Sequence, residues 1–207
     1  MKLSGAVLLL CVPALAGCTA RSTADSGLSD RPWTPERAPT PAVVHGAGTV
    51  LDSGDGPVLC LGKIADSLPP QCTGLSLADW DWAAVDGEDS APGVTWGTYS
   101  LAGEWDGETL TVTRAPVPFD SSTGIGDAAA PDPFDESLPS GGLRPGAGRQ
   151  VVTPELRDTV ADLVSTTFIN GRVVLEVPFD DGTLQASVDD RYGDDAVVVT
   201  STLRPRT

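Results

Sequence analysis

The stretch that decides the fold of the first half of this 207-residue chain is "WGTYSLAGEWDGETLTVTRA", residues 96–115. Four of its residues alternate with other side chains and so fall on one face of a strand: Tyr99, Leu101, Gly103 and Trp105. Asp106-Gly107 favours a two-residue type I′ turn, and Leu110 and Val112 then resume the alternation. The stretch therefore predicts a β-hairpin with one buried face.

Two shorter runs upstream, "GTVLDS" (48–53) and "PVLCLG" (57–62), predict a second hairpin. Both runs are largely apolar, and Gly54, Asp55 and Gly56 between them form a glycine-rich turn signal. Four or five short strands within residues 45–115 are typical of a small closed or rolled sheet. We expect a small all-β domain here, with an OB-like barrel or a rolled sheet as its topology.

The N-terminus, "MKLSGAVLLLCVPALAGCTA" (1–20), has the organisation of a secretory signal. Lys2 precedes an apolar run that is too short to span a bilayer, and small residues follow it. Residues 15–18, Leu-Ala-Gly-Cys, resemble the lipobox of bacterial lipoproteins, in which cleavage falls before the cysteine and its sulfur receives a diacylglycerol. The resemblance implies a signal peptide over residues 1–17, lipidation of Cys18 with palmitate-like acyl chains, and anchoring at the outer face of the cell membrane. The alternative is an ordinary cleavage site followed by a chance cysteine.

Cys60 and Cys72 remain once Cys11, inside the signal, and the lipidated Cys18 are set aside. Their spacing is far wider than the C-x-x-C of a redox motif. A zinc site needs four ligands at short spacings, and the chain has a single histidine, His45. Because disulfides persist outside the cytoplasm, we expect a structural Cys60–Cys72 disulfide that contributes about 3 kcal/mol to stability.

Residues 116–148 are dense in Pro and Gly and have neither helix nor strand periodicity, which is typical of an interdomain linker. The alternative is that Phe119 and Phe134 dock onto the sheet and hold the two regions together. Residues 18–44 are rich in Ser, Thr, Pro and charge and predict a disordered tether. The chain is thus divided into a signal (1–17), a lipidated tether (18–44), a β domain (45–115), a linker (116–148) and a second domain (149–207).

The second domain predicts an α+β unit. Thr153 as N-cap and Pro154 at the first helical position indicate a helix over residues 152–168. Three strands follow, separated by turn signals at 180–182 and 192–195: they lie at 172–179, 183–190 and 196–203. The expected fold class is therefore α+β, with this helix packed on a three-stranded antiparallel meander.

The charge of the chain restricts its partners. The sequence has 29 acidic and 13 basic residues, a net charge of −16. Such a chain repels nucleic acid and anionic lipid head groups, so nucleic acid is not an expected partner. No stretch has the carboxylate spacing of an EF-hand, and no P-loop or dinucleotide fingerprint is present, so neither a metal nor a cofactor is expected.

Few residues are candidates for catalysis. His45 stands at the edge of the tether, where the fixed geometry of a catalytic triad is not expected. A carboxylate-based glycoside hydrolase would need two acids, and Glu104 and Glu108 flank the Asp106-Gly107 turn. These two are more simply the solvent-facing residues of the hairpin, so we expect no enzymatic activity.

Three tryptophans are candidate ligand-binding residues: Trp80, Trp82 and Trp105. Trp80 and Trp82, in "DWDW" (79–82), share one face if this segment is a strand. Two adjacent rings could stack on a glycan or hold a partner peptide. The alternative is that both belong to the core of a small domain.

Several of these features together resemble a group of uncharacterised secreted lipoproteins of high-GC actinobacteria: the Leu-Ala-Gly-Cys exit, the Pro-rich tether, "PVLCLG" leading to "PPQC", "WDW" and "GTYSLAGEWDGETLTVT". The resemblance covers residues 45–115 well and the C-terminal region loosely. It implies a cell-envelope location and a paired-cysteine N-terminal domain, and it carries no catalytic residue. We therefore expect a membrane-anchored extracytoplasmic lipoprotein that acts as a non-catalytic binding module for an envelope protein or the cell wall. The alternative is a glycan-binding module or a carboxylate-based glycoside hydrolase.

Overall fold

The computed structural model describes residues 32–119, 134 and 139–206. Its ten strands are β1 (Ala42–Asp52), β2 (Pro57–Ala65), β3 (Gln71–Ala78), β4 (Asp89–Ala91), β5 (Val94–Trp105), β6 (Thr109–Val112), β7 (Val117–Pro118), β8 (Ser165–Ile169), β9 (Arg172–Phe179) and β10 (Val197–Pro205). The helical segments are a 3₁₀ turn (Trp82–Ala84), α1 (Pro145–Ala147), a π turn (Gly148–Val152), α2 (Thr153–Thr159) and α3 (Thr183–Tyr192). The predicted signal peptide and Cys18 lie outside the described residues.

Five strands close into a barrel in the order β1-β2-β3-β6-β5 and back to β1. β3 and β6 run parallel, and every other neighbouring pair in the barrel is antiparallel. β1 makes closure possible because it pairs with β5 from Ala42 to Asp52 and with β2 from Val50 to Asp52. The expected small barrel in the first half of the chain is confirmed.

The interior of the barrel is formed by the alternating residues that the sequence places on one face. Tyr99 and Leu110 are fully buried, and Leu101 and Trp105 are each 3% exposed. The other buried residues of the barrel core come from both halves of the chain: Val44, Val50, Leu59, Leu75, Leu77, Val85, Val112, Phe179 and Leu203. The hairpin predicted for β5 and β6 is therefore confirmed.

The turn of that hairpin differs from the predicted type I′ form. The Asp106 N–H donates to the Thr109 carbonyl (3.3 Å), so the two central residues are Gly107 and Glu108. Only Gly107 has a positive φ, of 108°, which fits a turn with glycine at its first central position. The Asp106 carboxylate accepts from the backbone N–H groups of Glu108 (2.8 Å) and Thr109 (2.7 Å), and these bonds lower its pKa.

The sheet continues from the barrel into the second half of the chain. The first part of β1 pairs with β10 in antiparallel register, with Val44 opposite Pro205. β9 then pairs with β10 in parallel, and β8 pairs with β9 through a hairpin whose turn residues, Asn170 and Gly171, both have positive φ. Both halves of the described chain therefore share one ten-stranded sheet.

Residues 183–190, predicted as a strand, form most of α3, so that prediction is wrong. The Asp180 carboxylate accepts from the backbone N–H groups of Leu184 (2.9 Å) and Gln185 (3.3 Å), which satisfies donors at the start of the helix. Because β9 and β10 are parallel, the connection between them must be a crossover and cannot be a hairpin. The predicted three-stranded antiparallel meander is replaced by a β-α-β unit preceded by β8.

The helix predicted over residues 152–168 also has different bounds. Helical backbone begins at Pro145, widens into the π turn and ends with α2, so Thr153 is an interior residue and the N-cap prediction is wrong. The π turn ends two residues before Pro154, whose ring lacks an N–H and would clash with a carbonyl of a regular helix. The second half of the predicted helix contains β8, where β-branched residues favour a strand.

A second core lies between these helices and the C-terminal strands. Its buried residues are Val152, Leu156, Val160, Val173, Leu175, Val177, Leu184, Val188 and Val197. Partly buried side chains from distant parts of the sequence pack against it, among them Trp33 and Leu143. Residues assigned to the tether and the linker therefore contribute to this core.

Residues 32–41, which precede β1, form an N-terminal strap across the second half of the chain. Trp33 packs edge-on against Tyr192, with ring centroids 5.5 Å apart, and lies 5.9 Å from the Arg191 guanidinium carbon. Two polar contacts hold the rest of the strap: the Glu36 N–H donates to Ser187 Oγ (3.1 Å), and Arg37 forms an ion pair with Asp162. The docked part of the chain thus begins at least ten residues before the predicted end of the tether.

Both ends of the predicted linker are attached to the sheet. β7 pairs with β5, with Pro118 opposite Tyr99. At the other end the Leu143 N–H donates to the Gly171 carbonyl (2.8 Å), and the buried Arg172 donates to the Pro139 carbonyl. The middle of the linker, apart from Phe134, lies outside the described residues.

Candidate functional site

The Cys60–Cys72 disulfide is present, as predicted, and joins β2 to β3 with its Cα atoms 5.6 Å apart. It closes a loop whose tip, residues 66–70, connects β2 to β3. Leu68 at this tip is 85% exposed, and Ser67 Oγ donates to the Pro69 carbonyl (2.9 Å). We call residues 60–72 the stapled loop.

Beside the stapled loop lies a groove of about 400 Å³ on the outer face of the β1–β5 ladder. We call it the apolar groove, after the two exposed apolar side chains that line it, Ile64 and Phe119. Its lining residues are Thr49, Ile64, Pro70, Gly87, Asp89, Trp96, Gly97, Thr98, Pro118 and Phe119. The groove therefore joins the stapled loop, the barrel wall and the first residues of the predicted linker.

The accessible surface of the apolar groove is more polar than apolar, and two exposed side chains provide much of its apolar part. Ile64 and Phe119, from different segments of the chain, are 41% and 42% exposed. The Phe119 N–H donates to the Thr98 carbonyl (2.8 Å), which fixes the backbone that carries this ring. On the floor, the hydroxyls of Thr49 and Thr98 face each other at 3.4 Å. Each hydroxyl has spare donor or acceptor capacity for a ligand.

One end of the apolar groove is acidic. Asp89 lines the groove and pairs through β4 with Trp96 on β5. Asp86 and Glu88 are exposed in the same short segment. Their charges are close enough to act on the Tyr99 phenol, whose pKa is raised first by burial and then by these carboxylates.

The Tyr99 hydroxyl lies directly behind the floor of the groove. A Cβ atom at Gly97 would be only 2.7 Å from it, so the missing side chain of Gly97 leaves room for the Tyr99 ring. Tyr99 is fully buried, and its hydroxyl has no hydrogen-bond partner among the described residues. The indole nitrogen of Trp80, which packs against Tyr99, is a second buried polar atom of this core without a partner among the described residues.

The indoles of Trp80 and Trp82, two candidate ligand-binding residues, pack against the barrel core. Their ring centroids are 5.1 Å apart at 73°, and both rings also contact Tyr99 edge-on. The segment is not the strand that the sequence suggested. Asp79 has a positive φ of 58°, and the Asp81 carboxylate accepts from the Ala83 N–H (2.9 Å) to cap the 3₁₀ turn. The two rings therefore do not form a flat stacking surface.

Trp105, the third candidate, is 3% exposed and lies in the barrel core. It borders a second groove of about 360 Å³, which Glu108 and Asp162 also line. Glu104, by contrast, is exposed on the outer face of β5. The structure therefore separates the two acids of the hydrolase hypothesis and places Glu108 beside an acid from the second half of the chain.

His45 is not among the residues that line either groove. Cys18 is outside the described residues, and His45 lies on β1 opposite Ala102 of β5. Among residues 32–119, 134 and 139–206, no three His, Cys, Asp or Glu side chains are grouped as a metal site would require. Within the same residues no helix is both long and apolar enough to cross a membrane.

Sequence reasoning identified the disulfide of this site but missed the groove beside it. Ile64 and Phe119 carry no motif, and their proximity depends on barrel closure and on the pairing of β7 with β5. One signal was available: Ile64 and Leu68 are large apolar residues within a short loop closed by cysteines, where polar residues are usual. No family model, curated protein or solved structure matches this chain.

Proposed function

We propose that this protein is a lipid-anchored extracytoplasmic envelope protein that acts as a non-catalytic binding module, and that the apolar groove is its binding surface. The secretory signal and its lipobox-like cleavage site, Leu-Ala-Gly-Cys, support the extracytoplasmic location, since they specify export and acylation at Cys18. The disulfide is consistent with an oxidising compartment.

One observation carries the binding role: exposed large apolar side chains line the groove and lie close to it in the sequence. Six large apolar side chains of the described residues are exposed, and two of them, Ile64 and Phe119, line the groove. Two more, Leu68 and Val117, lie within four residues of these in the chain. Exposed apolar side chains that cluster beside a polar floor are typical of a protein-binding surface. The disulfide holds the loop that carries two of these side chains, so little conformational entropy is lost when a partner binds.

We assign the barrel to the OB type. It has five strands, and β1 pairs with a neighbouring strand on each of its two edges. The parallel pairing of β3 with β6 closes the barrel. Fold type alone does not define function, and the proposal rests on the groove. The groove uses the loop between β2 and β3 and the outer face of the β1–β5 ladder.

A glycan-binding or hydrolytic role is the second candidate, and the second groove gives it one supporting observation. Glu108 and Asp162 both line that groove, and glycoside hydrolysis needs a carboxylate pair. Its wall lacks an exposed aromatic ring, because Trp105 presents almost no surface. We therefore favour the apolar groove as the functional surface.

Site-specific photocrosslinking in the native envelope tests the proposal. A photoreactive benzoylphenylalanine replaces Leu68, at the tip of the stapled loop, and in a matched strain it replaces Val43. Val43 is 59% exposed and lies on β1, six residues from Thr49 and so about 20 Å away along the strand. We expect a discrete crosslinked protein from position 68 and none from position 43. Equal adducts from both positions, or none from position 68, would contradict the proposal.

A further inference from the structure

The apolar groove has two chemically different parts, and together they restrict what it can bind. Its apolar lining includes Ile64 and Pro70 from the stapled loop and Pro118 and Phe119 from the predicted linker. This part favours an apolar side chain of the ligand. Asp89 lines the other part and is exposed. A ligand that fills the groove must place a group beside this carboxylate.

The charge around the Asp89 end is negative beyond this one residue. Asp86 and Glu88 belong to the same segment, and all three carboxylates act on the Tyr99 phenol behind Gly97. The only base next to a groove residue in the sequence is Lys63, which adjoins Ile64 in the stapled loop. The net charge of −16 adds to the same field. Such a surface attracts cationic ligands and repels anionic ones.

The size and floor of the groove favour an extended peptide. A volume of about 400 Å³ is near the lower end of the range for small-ligand sites, enough for a few side chains. The hydroxyls of Thr49 and Thr98 are placed to bond the backbone groups of an extended segment. Anionic lipid head groups are disfavoured by the acidic end.

We propose that the apolar groove binds an extended, basic segment of a partner protein, with an apolar side chain between Ile64 and Phe119 and a nearby Lys or Arg beside Asp89. This inference rests on the binding role proposed above and specifies the chemistry of the partner. The charge pair contributes mainly to the selection of the partner and to the association rate.

Selection from a random peptide library tests the inference with the full mature chain in detergent. A phage-displayed library of twelve-residue peptides is selected on the immobilised protein, and the selected pool is sequenced. We expect enrichment of peptides with net positive charge that carry at least one large apolar residue. Recovery should fall several-fold between about 20 and about 200 mM NaCl, because screening weakens exposed charge pairs.

Four variants locate the binding. Ile64→Asp should reduce recovery at least tenfold, whereas Val43→Asp, which adds the same charge on β1, should leave it unchanged. Asp89→Asn should remove much of the preference for positive charge, and Asp194→Asn, an exposed acid in the second half of the chain, should not. Circular dichroism and the melting temperature of each variant verify that it is folded.

The outcomes separate the two proposals. Enrichment that needs Ile64 but shows no preference for basic residues would overturn the inference about the partner and leave the groove as the binding surface. Basic peptides bound equally well by wild type and Ile64→Asp would overturn the groove itself. If the wild-type protein enriches no peptide, the inference that the partner is a basic peptide segment is wrong. The crosslinking experiment at position 68 then still tests the binding role separately.

Discussion

Replacing Tyr99 with Phe should stabilise this protein, although it removes a polar atom from the centre of the barrel. The Tyr99 hydroxyl is fully buried and has no hydrogen-bond partner among the described residues. In the unfolded chain the same hydroxyl bonds to water, so folding costs it that interaction without a replacement. The raised pKa of Tyr99, caused first by burial, is consistent with a poorly solvated phenol.

The expected gain follows from two opposing contributions. A buried polar group without a partner costs about 1–3 kcal/mol. Removing its oxygen leaves a void of about 15 Å³ beside Gly97, which costs about 0.4 kcal/mol. Tyr99→Phe should therefore raise the free energy of unfolding by about 0.6–2.6 kcal/mol. For a chain of this size the melting temperature should rise by about 1–10 °C.

Tyr192→Phe is a matched control because it makes the same chemical change where the hydroxyl has a partner. The Tyr192 hydroxyl donates to Glu155 Oε2 at 2.9 Å, and this bond to a carboxylate contributes about 1.5–3 kcal/mol. The control should therefore lower stability while Tyr99→Phe raises it. Urea unfolding followed by tryptophan fluorescence gives both values, provided that the m-value stays constant. A loss of 1 kcal/mol or more in Tyr99→Phe would show that the hydroxyl has a partner in solution and would refute the reasoning.

Three further predictions concern the Cys60–Cys72 disulfide, the proposed lipid anchor at Cys18 and the turn of the β5–β6 hairpin. Replacing Cys60 and Cys72 together with Ala should lower the free energy of unfolding by about 3 kcal/mol in urea titrations, and a loss below about 1 kcal/mol would show that the loop is ordered without its disulfide. Cys18→Ser should move the protein from the membrane fraction to the soluble fraction on immunoblots, and retention in the membrane would contradict anchoring by lipid. Asp106→Asn should reduce the loss of melting temperature on acidification from neutral pH to about pH 3. Because backbone N–H groups lower the pKa of folded Asp106, its stabilising contribution is present above the ordinary carboxyl pKa and is lost as the pH falls through the folded value. An identical fall of melting temperature on acidification in wild type and variant would contradict this prediction.

The sequence predicted the parts of this fold that depend on local patterns. The strand around Tyr99 and the Cys60–Cys72 bridge were recognisable because alternation, turn residues and cysteine spacing are local properties. The α3 segment was misassigned because Leu184, Ala186 and Val188 also satisfy the alternation of a short strand. The parallel pairing of β9 with β10 requires a crossover connection and therefore favours a helix here. This pairing is a long-range property.

The site was less accessible to sequence reasoning than the fold. Trp80 and Trp82 drew attention as large aromatic residues, yet a small barrel uses such rings first to fill its core. Ile64 and Phe119 are separated by more than fifty residues, and only the closed barrel places them across one groove. The composition of residues 32–41 suggested a solvated tether. Trp33 nevertheless packs against Arg191 and Tyr192, a long-range contact that composition does not reveal.

The N-terminal strap limits how far the folded body can stand from a membrane. With Cys18 as the proposed anchor, the contour length of the segment from Cys18 to Pro32 sets the greatest distance between the lipid and the docked chain, because Trp33 and the residues after it are bound to the protein surface. At about 3.3–3.6 Å per residue this segment spans at most about 50 Å, compared with about 85 Å for a tether that runs to the start of β1. A partner of the apolar groove must therefore lie within this shorter span plus the width of the folded body, which favours membrane proteins and membrane-proximal layers over the distant parts of the envelope.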